Sequence, residues 1–206
     1  MHDRRIDGET QVFGNAGALF MTAMTWYDHK TESIWSQPWG RAIIGELKGV
    51  QLNLLPSQIT TWAAWRTEHP ETLAMTNDVD RMSSLQRFDE DFIIGVLLEG
   101  KSKAFYYRDV SAVGVINDWV GDIPILVWAA ENNFHVYIRR VADQELMFRI
   151  QDGEMVDAET GTIWDIGTGR AIDGPLVGEV LQAAPSSSAF DWAWQDFYPD
   201  SEFYQP

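Results

Sequence analysis

Two aspartates, Asp28 and Asp157, each open an Asp-x-x-Thr segment, and each has a glutamate close by, Glu32 and Glu159. Carboxylates facing one another across a cleft can divide glycoside cleavage between an acid and a nucleophile. Asp157, Glu159, Asp28 and Glu32 are therefore the catalytic candidates, and the reaction they suggest is that of a carbohydrate-active hydrolase. A structural reading competes and is the stronger one. Aspartate in such a turn bonds its own backbone, and the chain holds 31 acidic residues in all.

Histidine offers less. His29 sits in the same predicted turn as Asp28, His69 precedes Pro70, and His135 falls in a predicted strand. None recurs in the repeat described below, no His-x-x-x-His spacing exists, and there is no cysteine. No metal site, cofactor, disulfide or thiol nucleophile is expected. Phosphate loops, nucleophile elbows and dinucleotide fingerprints are absent too.

Arg41 and Arg170 each lie in Gly-Arg-Ala-Ile, where a planar guanidinium could grip a carboxylate or phosphate. Internal bonds to Asp28 and Asp157, or to turn carbonyls, are the favoured reading. Among ten tryptophans, Trp35 with Trp164 and Trp65 with Trp194 recur and are expected to anchor cores. Trp39, Trp62 and Trp192 break the repeat and are the candidates for an exposed binding face.

These residues are positioned by a duplication. Residues 28–72 and 157–201 align without a gap at an offset of 129, with 17 identical positions. Upstream, Arg4-Arg5-Ile6 and Phe13 match Arg139-Arg140-Val141 and Phe148 at an offset of 135, so the first copy carries about six extra residues around 14–20. Asp7-Gly8 predicts a type I′ hairpin. Thr, Ile and Trp after each Asp predict a turn feeding a strand. Pro56-Ser57 and Pro185-Ser186 predict helices over about 57–69 and 186–198, with serine as the cap and Pro70 and Pro199 as the stops.

Strands are expected at 92–98, 101–107, 123–128 and 134–140, while 109–120 suits a short helix or a loop equally. The fold class is α+β, β-dominated, with two related lobes from an internal duplication, each a small antiparallel sheet with one short helix. Residues 1–76 form the first repeat copy, 77–91 a linker or long loop, and 92–206 the second, complete copy.

Composition bounds the partners. A chain of 206 residues, 45% hydrophobic, can build a real core, and no apolar run reaches the roughly 20 residues of a membrane span. A formal charge of -16 at pH 7, with the basic residues scattered, opposes nucleic acid binding. The N-terminus shows no signal peptide, so the chain reads as cytoplasmic as written.

Residues 26–37 (Trp-Tyr-Asp-His-Lys-Thr-Glu-Ser-Ile-Trp-Ser-Gln), with Trp62-Ala63-Ala64-Trp65-Arg66 and His69-Pro70-Glu71-Thr72, resemble the prokaryotic domain of unknown function 3179 family. Residues 100–105 resemble its Gly-x-Ala-Lys-Ala-Tyr strand, Val115-Ile116-Asn117-Asp118 its Val-Val-Asn-Asp, and residues 157–164 its Asp-Arg-Glu-Thr-Gly-Ser-x-Trp. The resemblance implies two copies in tandem, the first lacking its front half here. The family's Tyr-Cys-Pro-Leu-Cys segment would lie in that part, and its second-copy equivalent is Trp128-Ala129-Ala130-Glu131-Asn132, without cysteine.

Duplicated packing residues without a duplicated nucleophile, base or metal cluster point to a non-catalytic binding or interaction module. The alternatives are the hydrolase above and a truncated family member without retained activity. An incomplete first copy has an open sheet edge, through which a homodimer could form.

Overall fold

Asp7 and Gly8 both take left-handed backbone, with φ 49° and 81°, and turn β1 (Arg5–Ile6) back on β2 (Glu9–Thr10) as a type I′ hairpin requires. The computed structural model describes residues 1–57, 60–74, 91–131 and 133–206. A four-stranded antiparallel meander follows: β3 (Phe13–Phe20), β4 (Ala23–Asp28), β5 (Ile34–Ser36) and β6 (Arg41–Ile44). Trp35 and Ala42, buried with Ile6 and Leu52, form its core. Helix α1 (Trp62–Glu68) closes the first copy.

The second copy repeats this plan behind a larger front part. That part comprises β7 (Phe92–Leu98), β8 (Lys101–Tyr106), α2 (Tyr107–Val113), β9 (Val115–Val120), β10 (Ile123–Ala130) and β11 (Asn133–Ile138). The segment whose state the sequence left open is thus a helix followed by a strand. The main core lies here, with Ile94, Val96, Phe105, Val110, Ile116, Ile125, Val127 and Phe134 buried together. Continuous apolar runs such as Phe-Ile-Ile-Gly-Val-Leu-Leu suit strands covered on both faces.

The repeated part then runs through the hairpin β12 (Arg140–Val141) and β13 (Gln144–Glu145) to the meander β14 (Phe148–Gln151), β15 (Glu154–Asp157), β16 (Ile163–Asp165) and β17 (Arg170–Asp173). It ends in β18 (Gln182–Ala183), β19 (Ser186–Phe190), α3 (Asp191–Phe197) and β20 (Glu202–Phe203). The six extra residues of the first copy fall in the β3–β4 hairpin, where the register shifts between Asn15 and Leu19.

Two four-stranded sheets, ordered β18-β11-β10-β9 and β19-β7-β8-β20, enclose the main core. The protein is β-dominated, as expected, with several antiparallel sheets and three short helices among the described residues. Residues 92–206 hold three four-stranded sheets and two helices, more than one sheet and one helix. Of the expected linker 77–91, all but Asp91 lies outside the described residues.

The helices begin five residues later than the sequence suggests. Thr61, not Ser57, caps α1 by accepting from the Ala64 N–H at 3.1 Å. In the second copy Ser186 opens β19, whose backbone is taken up by antiparallel pairing with β7. A ladder partner distant in sequence decides the state of this segment.

Each of these helices also contacts the other copy. Helix α1 of the first copy reaches the second, where Glu68 lies against Gly167 and accepts a hydrogen bond from Asn133 at 3.0 Å. Helix α3 of the second copy reaches the first, where the Trp39 indole N–H donates to the Phe197 carbonyl at 2.7 Å.

Candidate functional site

These contacts border two clefts of related construction, about 600 Å³ beneath α1 (cleft one) and about 540 Å³ beneath α3 (cleft two). In cleft one Trp65 packs on His69 with ring centroids 4.0 Å apart, and its indole donates to Thr72 Oγ1 at 3.1 Å. In cleft two Trp194 packs on Tyr198 at 4.3 Å and donates to Ser201 Oγ at 2.8 Å. Each helix also faces a turn of the other copy, Gly167-Thr168 in cleft one and Gln37-Pro38 in cleft two.

The floors correspond as well. Tyr137 pairs with Ala183, and His2 bridges Leu54, the same relation at the repeat's own offsets. A Cβ on Gly169 would strike the Tyr137 ring, and one on Gly40 the His2 ring. Both glycines have positive φ, 67° and 60°, so close approach and backbone conformation together demand glycine.

What differs is chemistry. Where α3 and its cap bring Phe197 and Tyr198 to cleft two, α1 and its cap carry Glu68 and His69, of which His69 lines cleft one. Glu68 Oε1 lies 3.4 Å from His135 Nε2, and the Asn133 amide nitrogen reaches both Glu68 and His135, at 3.0 and 3.4 Å. His135 Nδ1 lies 3.4 Å from the Tyr137 hydroxyl, which donates to the carbonyls of Ile166 and Gly167 at 2.7 and 3.0 Å. With the Tyr137 proton committed there, its oxygen accepts from His135 Nδ1–H, and His135 Nε2 accepts from Asn133. A neutral Nδ1–H tautomer satisfies the Tyr137 and Asn133 contacts and leaves the Nε2 lone pair facing the Glu68 carboxylate.

Burial favours this neutral form and lowers the His135 pKa, with Glu68 and Asp165 acting in the opposite sense. Burial likewise raises the Tyr137 phenol, assisted by the negative charges of Glu68 and Asp165. Asn133 Oδ1 is buried without a hydrogen-bond partner. Of the cluster, His135 and Tyr137 line the cleft, beside Trp65 and Phe134. Among the described residues no group of three or more His, Cys, Asp or Glu side chains is arranged to hold a metal ion.

The residues singled out from sequence lie elsewhere. Asp28 is 0% exposed and accepts from the Thr31 N–H at 2.6 Å, the Thr31 hydroxyl at 2.9 Å and the Trp35 indole at 2.9 Å. Asp157 repeats this with Thr160 and Trp164 at 2.6, 2.8 and 2.9 Å. Burial acts to raise the Asp28 carboxyl, but the bonds from Trp35 and Thr31 outweigh it and the net shift is downward. Glu32 and Glu159 are exposed, and Glu159 accepts from the Met147 N–H at 2.8 Å.

Arg41 and Arg170 are exposed at the starts of β6 and β17, with Arg170 directed at the Gly178 carbonyl, 3.5 Å away. Trp39 is half-buried and pinned to Phe197. Trp62 and Trp192 are 50% and 54% exposed, and Trp192 also lines cleft two. Sequence reasoning passed over Glu68, Asn133 and Tyr137 and left His135 in a strand without a role. One signal was present: the repeat breaks at 68/197 and 69/198, next to the conserved-in-both-copies Trp65 and Trp194.

No curated protein and no solved structure matches the chain. No described helix is long and apolar enough to cross a membrane. A family model, described as a protein of unknown function (DUF3179), matches residues 1–91 and again residues 86–201, fitting the duplication, and the chain belongs to this family.

Proposed function

We propose that the protein is a non-catalytic binding module and that cleft one holds its ligand, a small polar molecule with one apolar face. The observation that carries this reading is the contrast between the clefts. Cleft two sets Phe197 and Tyr198 against its turn and has one imidazole, His2, in its floor, so it holds no carboxylate–imidazole pair. Buried polar groups cost stability unless fully paired. Cleft one is lined by His69, His135 and Tyr137, with Glu68 and Asn133 in contact with His135, a denser polar set that supports a purpose beyond packing.

The hydrolase alternative draws less support, because Asp28 and Asp157 are each enclosed by their own turn and Trp indole. A ligand-observed NMR screen of the full chain against amino acids, monosaccharides and nucleosides tests the binding reading. Glu68→Phe, which copies cleft two, should weaken any binder at least tenfold. Absence of binding across the panel, or equal binding by Glu68→Phe, overturns it.

A further inference from the structure

Cleft two has a chemistry of its own. In a chain with 31 acidic and 15 basic residues, no Asp, Glu, Lys or Arg side chain lines it among the described residues. Its walls carry Trp26 of β4 and Trp192 and Trp194 of α3. Trp194 is buried, whereas Trp192 is 54% exposed and lies within 12° of parallel to the Phe190 ring, with centroids 6.2 Å apart. The two rings make a flat aromatic platform at the cleft. Gln37, Ser187 and Ser188 also line it, and none of these three side chains has a hydrogen-bond partner among the described residues.

The backbone adds to this set. β19 is an edge strand, paired with β7 alone among the described residues. The Leu97 N–H donates to the Pro185 carbonyl at 3.2 Å and the Asp191 N–H to the Asp91 carbonyl at 2.9 Å, which fixes the alternation along the ladder. Ser187 and Ala189 therefore direct their N–H and C=O groups to β7, and Ser186 and Ser188 direct theirs to the open edge. The Ser186 carbonyl accepts from the Ser57 hydroxyl. Ser188 is left with an N–H and a C=O that no described residue meets, and α3 begins three residues later, at Asp191.

We propose that cleft two is a binding site for a neutral saccharide, one pyranose ring of which packs on Trp192 while its hydroxyls bond Gln37, Ser187 and Ser188. The C–H bonds on the face of a pyranose are weakly positive and suit the negative face of an indole. Each sugar hydroxyl both donates and accepts, which matches a mixture of amide, hydroxyl and backbone groups. A charged ligand finds no opposite charge on any Asp, Glu, Lys or Arg side chain in this lining. An extended peptide needs a longer run of open edge than the one residue between Ser186, which is held by Ser57, and the start of α3. Gln37, Ser188 and Trp192 do not line cleft one, so the two sites stand or fall separately.

The test titrates the full chain with maltotriose, cellotriose and triacetylchitotriose. Calorimetry gives the affinity, and the Trp192 indole resonance, assigned by its loss in Trp192→Phe, gives the place. Expected is saturable binding of at least one trisaccharide with a shift of that resonance, weakened at least tenfold by Trp192→Ala and by Gln37→Ala and unchanged in Glu68→Phe. Trp192 and Gln37 are both exposed, so their replacement leaves the fold intact. No binding of any of the three, or equal binding by Trp192→Ala, overturns the proposal. Binding lost in Glu68→Phe and kept in Trp192→Ala puts the saccharide in cleft one, which overturns this proposal and supports the reading of that cleft. A Trp192 shift caused by the capped tetrapeptide acetyl-Thr-Val-Thr-Val-amide and by no saccharide assigns the edge to a peptide and overturns it as well.

Discussion

Ser57 and Ser186 hydrogen-bond to each other reciprocally: the Ser57 hydroxyl donates to the Ser186 carbonyl at 3.2 Å, and the Ser186 hydroxyl to the Ser57 carbonyl at 3.4 Å. They are the same residue of the repeat, 129 positions apart. A residue can bond its own equivalent in this mutual way only on the pseudo-two-fold axis relating the copies. The axis therefore passes between these serines, where the chain leaves each meander for its terminal helix. A neutral hydrogen bond contributes about 1 kcal/mol net, so Ser57→Ala and Ser186→Ala should each cost about 0.5–1.5 kcal/mol in urea unfolding. Removal of both should cost less than the sum, because the two bonds share one geometry. Strict additivity would place the serines in independent environments.

Asp28 and Asp157 should prove equivalent. Each carboxylate ties a buried Trp indole to a threonine hydroxyl and backbone N–H within its own meander. Asparagine turns an amide donor toward donors already present, and hydrogen bonds to charged groups are worth roughly 1.5–3 kcal/mol. Asp28→Asn and Asp157→Asn should each lose about 2–3 kcal/mol in chemical denaturation. A marked inequality would show that one of the aspartates has a role beyond its turn.

The same turn supplies a gain. Glu32 adopts left-handed backbone with φ 57°, where its counterpart is Gly161 at φ 72°. A side chain there costs on the order of 1 kcal/mol relative to glycine. Glu32→Gly should raise stability by up to about 1 kcal/mol, less whatever glycine's greater unfolded-state entropy takes back. Unchanged or lowered stability would mean that entropy outweighs the relief of strain.

Gly95 should tolerate no side chain. Its Cβ would collide with the Trp194 ring, which is itself buried. Overpacking of this kind costs about 1–3 kcal/mol, so Gly95→Ala should lower the unfolding midpoint, and pairing it with Trp194→Leu should restore part of the loss. If Gly95→Ala proves neutral, the α3–β7 contact is looser than drawn.

Much of this fold was legible because it is local and written twice. Asp7-Gly8, the Asp-x-x-Thr turns and the buried Trp35 and Trp164 all follow from residues within a few positions of one another. The helix starts were misplaced because Ser186 answers to β7, a partner some 90 residues away by its pairing with Val96. The Glu68 cluster was illegible for a related reason. Glu68 and Asn133 are 65 residues apart, and they meet only because α1 crosses to the other copy, which no periodicity encodes. Divergence at 68/197 marked the place but not the contact.

His135 and His2 should make the protein sensitive to mild acid. His2 is lowered from 6.5 to about 4, chiefly by burial and then by the neighbouring terminal ammonium. His135 is lowered by burial despite Glu68 and Asp165. A histidine whose folded pKa lies below its unfolded value binds fewer protons when folded, so stability is full above the unfolded pKa and declines as pH falls toward the folded one. The urea midpoint should be level near pH 7.5 and drop on approach to pH 5, above the range in which most carboxylates titrate. His135→Gln, which keeps an acceptor and a donor but cannot charge, should remove part of that slope, and His2→Gln another part. For His135 the change has a local consequence: protonation places Nε2–H against Glu68 and breaks the acceptance from Asn133. A flat midpoint from pH 7.5 to 5 in the wild type, or an undiminished slope in both variants, would mean that these rings gain their protons without disturbing the contacts between the copies.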